Sequence, residues 1–485
     1  MGSLVLSTLA VPSLPGRKAV RLAAGALASA LLVAGVLAGA GPAAAEVPAP
    51  GHGGATATIG GLKTYGAAVI HDKSHDKAGD RSGDKAGDQK VSAGLFEMSV
   101  EGGGTLQTYC VDIQNPTQKD AKYHETPWSG TSLGANKDAG RIRWILQNSY
   151  PQVNDLAALA KKAGVRGGLT EREAAAGTQV AIWRYSDGAD VEAVGARAER
   201  LADYLEKHAR DLPEPTPSLT LDPPAVSGRA GGRLGPVTVR TNARGATVAP
   251  PADAASGVRV VDAKGRPVTS VTSGARLFLD VPAGATAGAA ELSVQASTTV
   301  PVGRAFASDS RSQTQILAGS SESTVAATTH ATWAAGGPIP ALSATEDCAK
   351  SGLDVKATNK GDRPFTFDLL STTYTVAPGA TRTVTVPLPE DQPYDFTLHG
   401  PTGLEQRFTG VLDCRTQANT PPDEPVHTLG GPPQKAVIDT TPAPDLAETG
   451  TPDVTPWIGG SAIALVAMGG TILIVLRRRT DPHGS

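Results

Sequence analysis

Three cysteines, Cys110, Cys348 and Cys414, are the side chains of this chain best suited to covalent chemistry. A thiol is a nucleophile only as its thiolate, and thiols held in an oxidising compartment tend to pair. Cys348 and Cys414 stand at the two ends of a run of strand-like segments, so one disulfide between them ties a module together. Closing a loop of that length is worth roughly 4 kcal/mol, less any strain. Cys110 is then the odd thiol, which in an exported protein needs an explanation. A buried structural cysteine is one, since the residue packs well as a small hydrophobe. A cysteine peptidase is another, with Cys110 as nucleophile beside a histidine such as His124. Only nine histidines are present, and no recognisable peptidase context surrounds Cys110. The pattern places His124 in a loop, and it is left outside the site. Residues 71–90 (HDKSHDKAGDRSGDKAGDQK) mix histidines with aspartates, but without a fixed ligand spacing they read as a solvated loop. No metal or cofactor is expected, and no GxxxxGK[ST] loop marks a nucleotide site.

The elements that must hold Cys110 are legible nearby. Residues 56–59, 64–70, 92–100 and 106–113 have strand character, and the last carries Tyr109 and Cys110. A helix is expected over 139–148, where Ile142, Ile145 and Leu146 share a face, until Pro151 interrupts it. A second begins after Thr170, a good N-cap, with Glu173 three residues on to complete a capping box. It runs to about Gly188. Ala175, Gln179 and Ile182 recur at helical spacing, which turns Gln179 toward the body of the domain. A further helix is expected over 190–210. The prolines of 212–217 then end the domain, because proline cannot continue a helix.

Glycine (56) and proline (37) are abundant and aromatics make up only 4% of the 485 residues, a composition that favours β-rich modules with stiff spacers over one large core. The near-neutral formal charge of -3 gives no basic face for nucleic acid. Short strands at 237–239, 258–261, 276–281 and 292–294 predict a β-sandwich over 218–332. Those at 353–358, 365–370, 381–386, 394–398 and 405–411 predict a second over 346–415, which contains the cysteine pair. The fold class expected is therefore multidomain, with an α+β domain over 56–212 followed by two all-β, sandwich-like (Ig-like) modules. A proline-rich spacer over 420–445 follows.

Both ends carry export signals. Arg17, Lys18 and Arg21 precede an apolar run over 22–41, and Ala43, Ala44 and Ala45 supply a signal-peptidase site before Glu46, so residues 1–45 read as a signal peptide. An uncleaved N-terminal anchor fits the alanine- and glycine-rich run less well. Residues 457–476 are 20 positions without a charge, enough for a transmembrane helix in the precursor, and Arg477, Arg478 and Arg479 follow it. Just before lies Leu446-Ala447-Glu448-Thr449-Gly450 within the 446–485 tail. This order of motif, span and basic tail resembles a sortase sorting signal in the LAxTG form of high-GC Gram-positive bacteria. The resemblance implies cleavage between Thr449 and Gly450 by a class E-like sortase. The Thr449 carboxyl group then passes to a peptidoglycan precursor, after transient membrane retention. A plain single-span protein that is never cut is the alternative.

Two local patterns carry a second resemblance. Thr108-Tyr109-Cys110-Val111-Asp112 looks like the cysteine segment of the thioester domains of Gram-positive surface proteins, and Thr178-Gln179-Val180-Ala181 matches their TQxA signature. Together they cover about residues 56–212. The resemblance implies a bond between the Cys110 sulfur and the Gln179 side-chain carbonyl, 69 positions apart, formed with loss of ammonia. Tyr109, Thr178 and Trp183 are possible supporting residues. Such an acyl group is open to attack by an amine or hydroxyl of a docked partner, a single-use bond without turnover. The expectation is thus a secreted, peptidoglycan-anchored, adhesin-like protein that is not an enzyme. A passive wall-anchored stalk or coat protein with an inert cysteine stands as the alternative, and a secreted cysteine peptidase as the third reading.

Overall fold

The computed structural model describes residues 53–71, 88–251, 257–401 and 404–415. The expected signal peptide, spacer, sorting motif and membrane span, with most of the 71–90 stretch, lie outside these residues. Among the described residues no helix is long and apolar enough to cross a membrane. What they form is a mixed α/β N-terminal domain followed by several further β-sheets.

The N-terminal domain is built on strands β1 (Thr56–Ile70), β2 (Gln89–Val100), β3 (Thr105–Cys110), β4 (Lys122–Thr126) and β5 (Val191–Ala193). Two strands from far along the chain, Ala305–Ser308 and Gln315–Ser320, complete one seven-stranded antiparallel sheet. Its order runs β2, β3, the Gln315 strand, the Ala305 strand, β4, β1, β5, and β1 also pairs with β2, which closes a circuit of six strands. The Gln315 strand is buried from Gln315 to Gly319, as a central strand covered on both faces must be. Here the sequence boundaries need correction, because 305–320 belongs to this sheet and not to the module expected over 218–332. Neither of the two strands was among those expected, and local composition does not say which sheet a segment will join.

Helices α1 (Ala139–Asn148), α2 (Leu156–Lys162), α3 (Glu171–Ser186) and α4 (Ala196–His208) accompany the sheet. Helix α3 lies against β1, β2, α1 and α4. Its capping box is complete: the Thr170 hydroxyl accepts from the Glu173 N–H, and Glu173 accepts from the Thr170 N–H. A close fit explains the small residues of α3, since a Cβ on Gly177 would stand 2.4 Å from the Ala198 carbonyl oxygen of α4. The single helix expected over 190–210 is instead β5 and α4, separated at Gly195, whose φ of +130° suits glycine. Val191 and Ala193 alternate inward and take the free edge of β1.

Two further sheets follow within 218–334. One has four strands, led in order by Arg259–Val261, Arg276–Asp280, Arg233–Thr241 and Leu219–Asp222, and the other has five. Beyond them Pro340–Asp347 pairs along its whole length with Gly352–Asn359, so the last module starts before the expected 346. It has its own core, which includes Leu353, Val355, Phe365, Phe367, Leu398 and Phe408. Cys348 and Cys414 are joined by a disulfide, and Cys110 is the free cysteine among the described residues.

Candidate functional site

Cys110 is the last residue of β3 and is 2% exposed. Opposite it on α3 stands Gln179, wholly enclosed. The Cys110 backbone N–H donates to Gln179 Oε1 at 3.1 Å, and Gln179 Nε2 donates to the Cys110 carbonyl oxygen at 2.9 Å. The carboxamide is therefore clamped on the main chain of the residue that carries the thiol. The capping box sets where α3 begins, and the second and third turns then carry Thr178 and Gln179 onto the β3 end.

The sulfur has its own surroundings. Gln315 Nε2 donates to Cys110 Sγ at 3.3 Å. Gln315 faces Cys110 directly in the strand register. Burial pushes the Cys110 thiol up to about 12, with the Gln315 hydrogen bond working against it. Peptidase nucleophiles have lowered values, so this environment speaks against the peptidase reading.

Among the supporting residues, Tyr109 is fully buried and donates to the Tyr150 carbonyl oxygen at 2.8 Å. Thr178 donates back to the Ala174 carbonyl oxygen at 2.7 Å. Trp183 is buried one turn beyond Gln179, and its indole Nε1 has no hydrogen-bond partner among the described residues, which marks it as packing. His124 lies on β4 and not in a loop. Its ring nitrogens meet Thr56 Oγ1 at 3.1 Å and Asp309 Oδ2 at 2.8 Å.

A group of carboxylates that sequence reasoning missed flanks the site. Asp112 is fully buried and accepts from the Gln114 N–H and from Asn115. Asp187, at the C-cap of α3, accepts from the Ile113 N–H at 3.0 Å. Asp413, beside the disulfide, accepts from the N–H and hydroxyl of Thr314. Burial raises all three, to about 7 for Asp112 and Asp187 and about 8 for Asp413, and mutual repulsion adds to it. Of these only Asp112 fell inside a quoted motif; Gln315, Asp187 and Asp413 carry no spacing signal.

Stability should depend on pH accordingly. Carboxylates of the unfolded chain titrate near 4, so between that value and the folded ones the native state holds extra protons. Their contribution is fully present below the unfolded value and is lost as pH rises through about 7 to 8. The denaturation midpoint is expected to fall over that window, with a shallower fall in Asp413→Asn. A flat profile from acid to alkaline pH would show that these groups are not held protonated.

Comparison with known proteins bears on the same segment of the chain. Residues 107–211 match the family model described as a thioester domain, and the segment spans both Cys110 and Gln179. Residues 340–411 match the C-terminal domain of bacterial phospholipase C, over the module with the separate core. Among solved structures, the Bacillus anthracis TIE protein aligns at 13% identity with a TM-score of 0.25, over 74% of this chain and 80% of that one. The thioester domain of the Enterococcus faecium TIE86 protein aligns at 16% and 0.26, over 58% of this chain and 97% of that one. Scores this low carry no argument about function. The comparison with curated proteins returns no match.

Proposed function

We propose that this chain is a wall-displayed surface protein whose Cys110 and Gln179 form an internal thioester that bonds covalently to a partner. The clamp of the Gln179 carboxamide on the Cys110 main chain carries the reading. The Cys110 N–H polarises the Gln179 carbonyl, and the nucleophile belongs to the same residue, so approach and activation come from one backbone position. The sulfur attacks Gln179 Cδ, the C–S bond forms, the C–N bond breaks, and the thiol proton leaves with ammonia. Capture reverses the sense: an amine nitrogen bonds to Cδ, the C–S bond breaks, and a proton from the amine ends on the Cys110 sulfur. Enclosure of both side chains slows attack by water. Each chain reacts once, so the process is not enzymatic turnover.

On this reading residues 446–450 serve as the sorting signal, with a class E-like sortase and a peptidoglycan precursor as partners, and the β-modules hold the thioester away from the wall. The partner is recognised as an amine or hydroxyl. The test is the intact mass of the chain purified without reductant, before and after methylamine. A mass one ammonia below that of the disulfide-bonded chain is expected, followed by gain of one methylamine at Gln179 and release of the Cys110 thiol. A mass explained by the disulfide alone and unchanged by the amine would leave a passive surface protein.

A further inference from the structure

We infer that Gln315 acts on the leaving sulfur, donating the hydrogen bond that carries negative charge on Cys110 Sγ as the acyl bond breaks. The inference rests on the thioester reading above. It places part of the reactive centre on a strand 205 positions away in sequence and outside the segment that matches the thioester domain.

The donor is held in place. Gln315 is wholly buried, and its Oε1 accepts from the Thr108 hydroxyl at 2.9 Å. With the carboxamide held at its oxygen, Nε2 is aimed at the sulfur at 3.3 Å. A donor is needed because the titratable neighbours of this sulfur among the described residues, Asp187 and Asp112, are both acids and supply no positive charge to a departing thiolate. In a dry site a preset donor counts for more than in water. A purely structural carboxamide would need no atom aimed at the reacting one.

The step is balanced as in capture: the amine nitrogen bonds to Gln179 Cδ, the C–S electron pair stays on Cys110 Sγ, and the amine's proton follows. Gln315 is neither consumed nor modified. Gln315→Met keeps the length and removes the donor.

The experiment measures the methylamine capture rate of the full chain by intact mass. Gln315→Met should still show the loss of ammonia but capture methylamine about tenfold to a hundredfold more slowly. An unaltered rate in Gln315→Met would overturn the inference. So would disappearance of the ammonia loss in Gln315→Met, which would make Gln315 an acyl donor. If the unchanged chain shows no loss of ammonia, the thioester reading itself fails. The donor role is then read from the Raman S–H band of Cys110, the free thiol among the described residues. A band that shifts in Gln315→Met keeps the hydrogen bond to sulfur; an unmoved band removes it.

Discussion

Cys110→Ala is expected to abolish adduct formation completely while the N-terminal domain still folds. The reason lies in how the two residues are joined. Gln179 is held by the backbone N–H and carbonyl of Cys110, and alanine supplies both. Only the sulfur and its contact with Gln315 are lost, at a cost of about 1 kcal/mol for one buried heavy atom. Gln179→Ala should be equally inert toward amines but less stable, because the buried Cys110 N–H loses its acceptor, at about 1–3 kcal/mol. The pair of variants therefore separates chemistry from folding. Intact mass after methylamine reads the first, and urea unfolding reads the second. Adducts that persist in Cys110→Ala would sink the mechanism.

The largest effect on stability is expected at a site remote from the sulfur. Arg304 and Glu125 form an ion pair at 2.9 Å with almost no exposed surface on either side chain. Glu125 also accepts from the Ala55 N–H, the Ser218 N–H and the Ser218 hydroxyl. Arg304 reaches Glu214 and the Pro215 carbonyl oxygen as well. Four chain segments meet there: β4, the approach to β1, the end of the proline-rich connection and the lead into the Ala305 strand. Arg304→Met leaves the Glu125 carboxylate buried with its cation gone, which should cost about 3–5 kcal/mol. Arg304→Met combined with Glu125→Leu should recover part of that loss, since removing both charges avoids an orphan. Denaturant unfolding of the single and double variants measures both. A single variant as stable as the unchanged chain would show that the pair is solvated in solution. The pair also anchors the strands that bring Gln315 to Cys110, so its loss should slow methylamine capture too.

Much of the local structure could be read from residue order because its causes are local. Thr170 and Glu173 start α3 wherever that helix is placed, and the 3.6-residue period turns Gln179 inward. Ile142, Ile145 and Leu146 define the buried face of α1 in the same way. Cys348 and Cys414 could be paired because they bracket one module with its own core. The cysteine and glutamine segments were found by family resemblance, not by spacing, and a gap of 69 residues has no geometry until a sheet and helix supply it. Where partnership spans the chain, residue order was silent. Gln315–Ser320 is a buried strand that the residue pattern did not single out, and its place between β3 and the Ala305 strand follows from sheet closure and from the Arg304–Glu125 anchor. Gln315 and Asp413 thereby become neighbours of the site without any motif. Short-range sterics and periodicity choose helix or strand residue by residue, whereas the surroundings of a buried sulfur are chosen by which distant segments fill the space around it.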